Sequence, residues 1–422
     1  MQKNKVKSAM ATKTLSSSFY GCPQRMEVTM AVLIGLGACL IRLATGPSNI
    51  FLGLAALLGL YLWWKNGKRF DLSPASRKYM KVCLIFFLLT LVSMVDVDNK
   101  KHIFSSFFNT WIIRFAFFFL IVAFVKRKEY LLRMLSAFLV IFSWDCFTAC
   151  YQFFVLHKAR GNGFHGDYLD LTAIICMILP LSAILLMDSH IDKTTKRFAL
   201  LGLASAIAGL FGCFGRGAFL VSALTAPFYL FYYVRNSKKI LSLALVLLCL
   251  VGGTLFFSPK YSQRLSTTLN TTSNTSNVDR IWTWKSSIDM YLDHPVNGVG
   301  LDNWELYYKD KGYKYPQESQ NLPHAHSNYM QLLAETGTIG MLGLIYFYLY
   351  SLFTPFKRWL ASRSPYDLIC FTAFLASMVF FGAFQPTYRL SSVIRTLWFV
   401  LAVMLQLKQC DEPLFIRTTE RG

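Results

Sequence analysis

Two histidines stand just ahead of a helical stretch: His324 and His326 in LPHAHSNYMQLLAETGTIGMLG, Leu322 to Gly343. Pro323 breaks the chain before them, Ser327 or Asn328 is placed to cap the helix, and Gly337 to close it. A histidine at a helix N-terminus feels the positive end of the dipole, which depresses its pKa. The neutral imidazole that results is the form a general base needs. Three arginines occupy glycine-rich or helix-start settings: Arg160 in ARGNGF, Arg216 in GCFGRGAF and Arg280 in DRIW. A guanidinium presents a planar fork that matches phosphate oxygens, and glycine lets a bulky ligand come close to the backbone. One base and several forked cations suit a reaction that takes a proton from a nucleophile while negative charge grows on phosphate oxygens. Outward arginines also meet lipid headgroups, an account that suits Arg264 and Arg389 better than Arg216 in its tight Gly-Arg-Gly turn. The His-x-His pair invites a metal. Yet the surrounding loop has no cysteine, and Glu318 and Glu335 stand at no recognisable ligand spacing, so no metal site and no cofactor are expected.

These residues must be positioned by a scaffold whose composition is unusual. Of 422 residues, 54% are hydrophobic and 15% charged, against about a quarter charged in a globular chain. A soluble enzyme is excluded, as are disordered, collagenous and disulfide-stapled proteins. Ten cysteines form no CxxC pair, and most lie inside apolar runs as small hydrophobes. The net charge of +21 comes in short bursts between those runs, the habit of a positive-inside membrane protein rather than a nucleic-acid binder.

A bilayer crossing needs about 20 apolar residues. Twelve spans are expected, at 27–44, 50–64, 80–97, 104–125, 131–156, 170–187, 198–214, 217–234, 240–257, 338–356, 367–384 and 391–407. With both termini cytoplasmic, the cytoplasmic segments carry 25 of the 43 Lys+Arg. The fold class is therefore all-α, a polytopic membrane protein in three parts. Residues 1–257 form an N-terminal transmembrane region of about nine spans, 258–337 a long outward loop, and 338–422 a C-terminal transmembrane region with a cytoplasmic tail. The polar, basic stretch Met1 to Arg25 reads as the lead-in to a retained first span rather than a signal peptide.

A loop of that length should carry function or structure of its own. Ser266 to Asn277 is low-complexity, whereas Ile281, Trp284, Ile288, Tyr291 and Leu292 recur at helical spacing and predict an amphipathic helix on the outer surface. Arg114 and Asp145, on neighbouring spans at similar depth, are expected to pair. No internal repeat is visible, which counts against transporters built from duplicated halves.

With these motifs in hand, the chain resembles the O-antigen ligase superfamily, which also holds O-antigen polymerases and related polysaccharide ligases. DRIWTWKSSIDMYLDHPVNGVGLDNW, Asp279 to Trp304, is similar to the family's Arg-to-HPxxGxG segment. HSNYMQLLAETGTIG, His326 to Gly340, meets every fixed position of the ligase pattern through His326, Ser327, Gly337 and Gly340. Trp284 stands where some ligases carry leucine. The resemblance implies a GT-C-like glycosyltransferase of the bacterial inner membrane, its active site facing the periplasm. It implies transfer of a glycan from undecaprenyl pyrophosphate to a lipid A–core sugar hydroxyl, metal-independent and inverting. By motif, His326 would be the base, Arg216, Arg280 and Arg160 would hold the donor pyrophosphate, and His324, Ser327, Gly337 and Gly340 would support them. The residues alone leave the stereochemistry open, because Asp279, Asp302 and Glu335 are carboxylates available to a retaining route. An O-antigen polymerase shares the donor chemistry. A lipid-linked oligosaccharide flippase would instead place its ionisable groups near the membrane midplane.

Overall fold

The computed structural model describes residues 24–95, 97–189, 191–234, 275–318 and 321–419. Every described element is helical: α1 (Gln24–Cys39), α2 (Thr45–Lys65), α3 (Pro74–Leu91), α4 (Lys100–Phe107), α5 (Arg114–Phe124), α6 (Lys128–Phe154), α7 (Tyr168–Met187), α8 (Lys193–Cys213) and α9 (Arg216–Val234). After the undescribed stretch come α10 (Thr275–Asp293), α11 (Trp304–Asp310), α12 (Asn328–Ser362), α13 (Pro365–Phe374) and α14 (Ser391–Thr419). A widened π-helical turn, Phe108–Ile113, joins α4 to α5, and a second, Leu375–Phe380, extends α13.

Each expected span coincides with a helix except the ninth, 240–257, which lies outside the described residues, as does Arg264. Among the described residues, eight helical segments are long and apolar enough to cross a bilayer: α2, α4–α5, α6, α7, α8, α12, α13 with its extension, and α14. The protein is an all-α polytopic membrane protein. Local chemistry sets where several helices begin. Ser73 accepts from Ser76 N–H ahead of Pro74, and Asp192 accepts from Thr195 N–H at 2.9 Å.

The chain alternates between two ends of the bundle, and side-chain ties mark each. At one end Glu27 pairs with Arg127 at 3.2 Å, Lys128 with Asp411 at 2.8 Å and Lys408 with Asp367. At the other end lie Arg42, Asp145, Asp302, Arg389 and the loop with both histidines. Between them α14 packs on α5, α7 on α8 and α12 on α3, with an aromatic core that includes Trp111, Phe118, Phe347 and Trp398.

Three expectations change. Asp145 pairs with Arg42 rather than Arg114, while Arg114 Nη1 donates to the carbonyls of Tyr388 and Arg389 at 2.8 and 2.9 Å. Depth alone does not choose a partner when a third helix end brings a nearer cation. Gly337 kinks the helix it was expected to close: α12 runs on to Ser362, with Gly337 at φ 60°, ψ −159°. The apolar stripe of α10 points outward, with Ile281, Ile288 and Leu292 exposed, while Thr283, Ser286, Ser287 and Met290 are buried. Small hydroxyls let this helix sit closely on the loop, so its larger apolar groups are left outside.

Candidate functional site

The His-x-His turn is held from below by buried amides. Ala325 N–H donates to Gln331 Oε1 at 2.7 Å, and Gln331 Nε2 donates to Glu335 Oε1 at 2.7 Å. Ser327 caps α12 through Met330 N–H. Asn328 Nδ2 donates to Thr387 Oγ1 at 2.9 Å and to the Met378 carbonyl at 3.0 Å, which ties the helix start to the segment after α13. Two rings thus meet at a fixed angle, with centroids of His324 and His326 4.3 Å apart and nearly perpendicular. His326 adopts φ 51°, in the left-handed region that residues bearing a Cβ seldom enter, and is held there by its surroundings.

His326 Nδ1 lies 2.8 Å from Gln385 Oε1. With that oxygen accepting, Nδ1 carries the proton and Nε2 keeps its lone pair, the tautomer a base requires. Burial pushes the His326 imidazolium down to about 4; the Gln385 hydrogen bond raises it, the Arg280 charge lowers it further and Asp279 raises it. Burial likewise takes His324 down to about 3, helped by His326 and Arg389. Both rings are neutral at pH 7, and burial rather than the helix dipole is the main cause.

Gln385 also faces a pocket of about 140 Å³ that Arg160, Arg216 and Arg280 line together, with Tyr168, Asn277 and Phe384. The three arginines come from distant points of the chain. Arg216 opens α9 directly after Phe214 turns the backbone at φ 53°. Arg280 belongs to α10; burial lowers its pKa most, and the charges of Arg216 and Arg160 lower it further. Arg160 stacks on the Tyr168 ring at 4.1 Å. Its loop is pinned from several sides: Gly161 N–H donates to the Gly212 carbonyl at 2.9 Å, Gln152 Oε1 accepts from Asn162 N–H at 2.7 Å, and Arg42 Nη2 donates to the Asn162 carbonyl at 2.7 Å. A side chain at Gly161 would lie 2.0 Å from the Ala149 carbonyl oxygen, so the glycine serves contact with α6 rather than with a ligand. No acidic residue lines the pocket among those described.

Gly337 and Gly340 sit farther from the chemistry than the histidines. The kink at Gly337 frees helix amides and carbonyls, and the 295–300 segment takes them up. Val299 N–H donates to the Ala334 carbonyl at 2.9 Å, Gly300 N–H to Glu335 at 3.0 Å, and Thr338 N–H to Pro295 at 2.9 Å. The two glycine-bearing motifs are thus one backbone joint. A fourth arginine, Arg389, was expected against lipid; it pairs instead with Asp302 at 2.6 Å and Glu335 at 3.3 Å. Gln385 and Arg389 lie in no motif, and Asn328, inside HSNYMQ, was marked in the sequence only as a candidate cap. Among the described residues no three His, Cys, Asp or Glu side chains gather as metal ligands.

With this geometry in view, residues 201–345 match the family described as O-antigen ligase. The matched stretch, about a third of the chain, holds Arg216, Arg280, both histidines, Gly337 and Gly340, while Arg160 and Gln385 lie outside it. No curated protein matches the chain.

Proposed function

We propose that the protein is an O-antigen ligase that transfers a polysaccharide from undecaprenyl pyrophosphate to a sugar hydroxyl of lipid A–core. In this reading it works in the bacterial inner membrane with its site toward the periplasm and both termini in the cytoplasm. The arginine pocket carries the reading: three guanidiniums share it, no described acidic residue lines it, and Gln385 reaches from its wall to the base. Such a pocket concentrates positive charge that favours an anionic ligand. A pyrophosphate fits that demand, since its charge grows as the glycosidic bond breaks, and fixed donors stabilise growing charge most because they need little reorganisation.

The reaction follows from the placement. His326 Nε2 takes the proton from the acceptor hydroxyl, whose oxygen attacks the anomeric carbon as its bond to the pyrophosphate oxygen breaks. The electron pair leaves with the lipid pyrophosphate, where Arg216, Arg280 and Arg160 receive it. A single displacement with no covalent glycosyl–enzyme inverts the anomeric carbon and uses no metal. His324 backs the imidazole of His326, while Ser327, Gly337 and Gly340 keep the turn in place.

The purified protein in vesicles, given the lipid-linked donor and lipid A–core, should form glycosylated lipid A–core with chelator present. His326→Ala should abolish transfer while leaving folding and insertion intact. Wild-type turnover in that variant would remove the assigned base, and product formed only with a second lipid-linked unit would make the protein a polymerase.

A further inference from the structure

A second pocket, of about 220 Å³, shares none of its lining with the arginine pocket and is walled by Arg389, whose charge reaches His324. Its walls include Asn109 and Thr110 of the first π-helical turn, Arg114, Asp302, Glu335 and Arg389. Its character differs from the first. Two arginines face two carboxylates, so charge is balanced, and the open groups are amides, hydroxyls and paired ions. The π turn is part of the construction: its i to i+5 bonding brings Asn109 and Arg114 toward one side, where a regular α-helix would turn them apart. Such turns recur at functional sites. Arg114 is 8% exposed, and its Nε has no hydrogen-bond partner, an unspent buried donor on the pocket wall.

The two pockets are joined through five residues. Gln385 serves the arginine pocket and His326. Thr387 accepts from Asn328 at the start of α12, and Tyr388 and Arg389 line the second pocket. A hydrogen-bond chain runs back from there: Tyr388 hydroxyl donates to Glu335 at 3.1 Å, Gln331 to Glu335, and Ala325 between the two histidines to Gln331. Arg389 is also among the charges that depress His324.

Resting on the transfer reaction proposed above, we infer that this pocket binds the acceptor, as one uncharged sugar ring whose free hydroxyl then lies against the imidazole of His326. A polyol needs donors and acceptors on all sides and no net charge, which this pocket offers and the arginine pocket does not. Separate pockets flanking one base keep the phosphate-bearing donor and the neutral acceptor from exchanging places.

The test uses the full chain in vesicles with two conservative variants, Thr110→Val and Asn109→Ala. Neither side chain forms an ion pair among the described residues. Each should raise the acceptor KM by about threefold to tenfold, the worth of one lost hydrogen bond, with donor KM and kcat unchanged. Direct binding of core oligosaccharide and of delipidated repeat-unit oligosaccharide is measured alongside, by ligand-observed magnetic resonance. Binding of the core oligosaccharide that weakens in both variants supports the site even if the wild-type protein transfers nothing, a result that would sink the reaction and not the pocket. Stronger binding of the repeat unit keeps the sugar site and reassigns its occupant to a lipid-linked acceptor. Unchanged binding and acceptor KM in both variants, or a rise in donor KM instead, would overturn the proposal.

Discussion

Replacing Gln385 with glutamate tests the base directly. In the native site the amide oxygen 2.8 Å from Nδ1 orients the ring, while burial holds its pKa near 4. Gln385→Glu puts a carboxylate at nearly the same distance. An opposite charge that close favours the charged imidazolium and raises its pKa by about 1–3 units, near 1.4 kcal/mol for each. The expected value is then about 5–7. Protonation removes the Nε2 lone pair, so activity must fall as pH drops through the pKa. Native kcat should hold down to about pH 5, whereas the variant should lose half its activity near pH 6 and about tenfold one unit lower. The assay is turnover in vesicles at saturating donor and acceptor from pH 5 to 8, because the new carboxylate also faces the arginine pocket and would weaken donor binding. Gln385→Leu is the companion: it strands the Nδ1 proton, costs about 1–3 kcal/mol and should lower kcat roughly tenfold or more at every pH in that range. An acid limb that stays where the native enzyme has it, or that is the same for glutamate and leucine, refutes the assignment of Nε2 as base.

Arg216→Lys and Arg280→Lys should rescue poorly beside the alanine variants. Alanine should cost about 10²–10³ in rate at fixed donor, and lysine lacks the second arm of the fork; full recovery with lysine would mean a point charge suffices. Gly337→Ala should lower the midpoint of thermal unfolding in detergent. At φ 60°, ψ −159° the backbone is open in practice only to glycine, and the added carbon would sit 2.5 Å from the Val296 carbonyl oxygen. An unchanged midpoint would show that the joint between α12 and the 295–300 segment yields freely. Asp145→Asn removes the nearer of two anions beside the buried Arg42, leaving Asp170 at 3.9 Å, and should slacken the loop of Arg160. Protease cleavage of that loop and donor KM should rise together; a stable variant with native donor KM would separate the ion pair from the site.

Much of the scaffold was legible because a bilayer allows few answers. A chain must satisfy its own backbone in lipid, so long apolar runs become helices, and the expected spans found them wherever residues are described. Helix starts at Ser73, Asp192 and Ser327 were equally local in origin. Partners were not. Arg114 and Asp145 looked like a pair by depth, and the nearer cation turned out to come from the turn after the first helix. Arg389 looked like a headgroup contact until Asp302 and Glu335 were seen beside it.

The same division runs through the site. Residue type and spacing by themselves picked out His324, His326, Arg160, Arg216 and Arg280, since a lone cation in a glycine turn or a histidine before a capped helix is chemically conspicuous at short range. Tertiary structure decided that these groups share one corner of the bundle, that Gln385 sets the imidazole tautomer, and that the glycines of ARGNGF and HPVNGVG accommodate the protein's own atoms, backbone at Gly161 and Gly298 and side chains at Gly163 and Gly300. Those outcomes depend on which helix ends pack together across more than a hundred residues of chain. Contacts at that separation leave no periodic or local mark in the sequence, because many different side chains could close the same gap once the helices are in place.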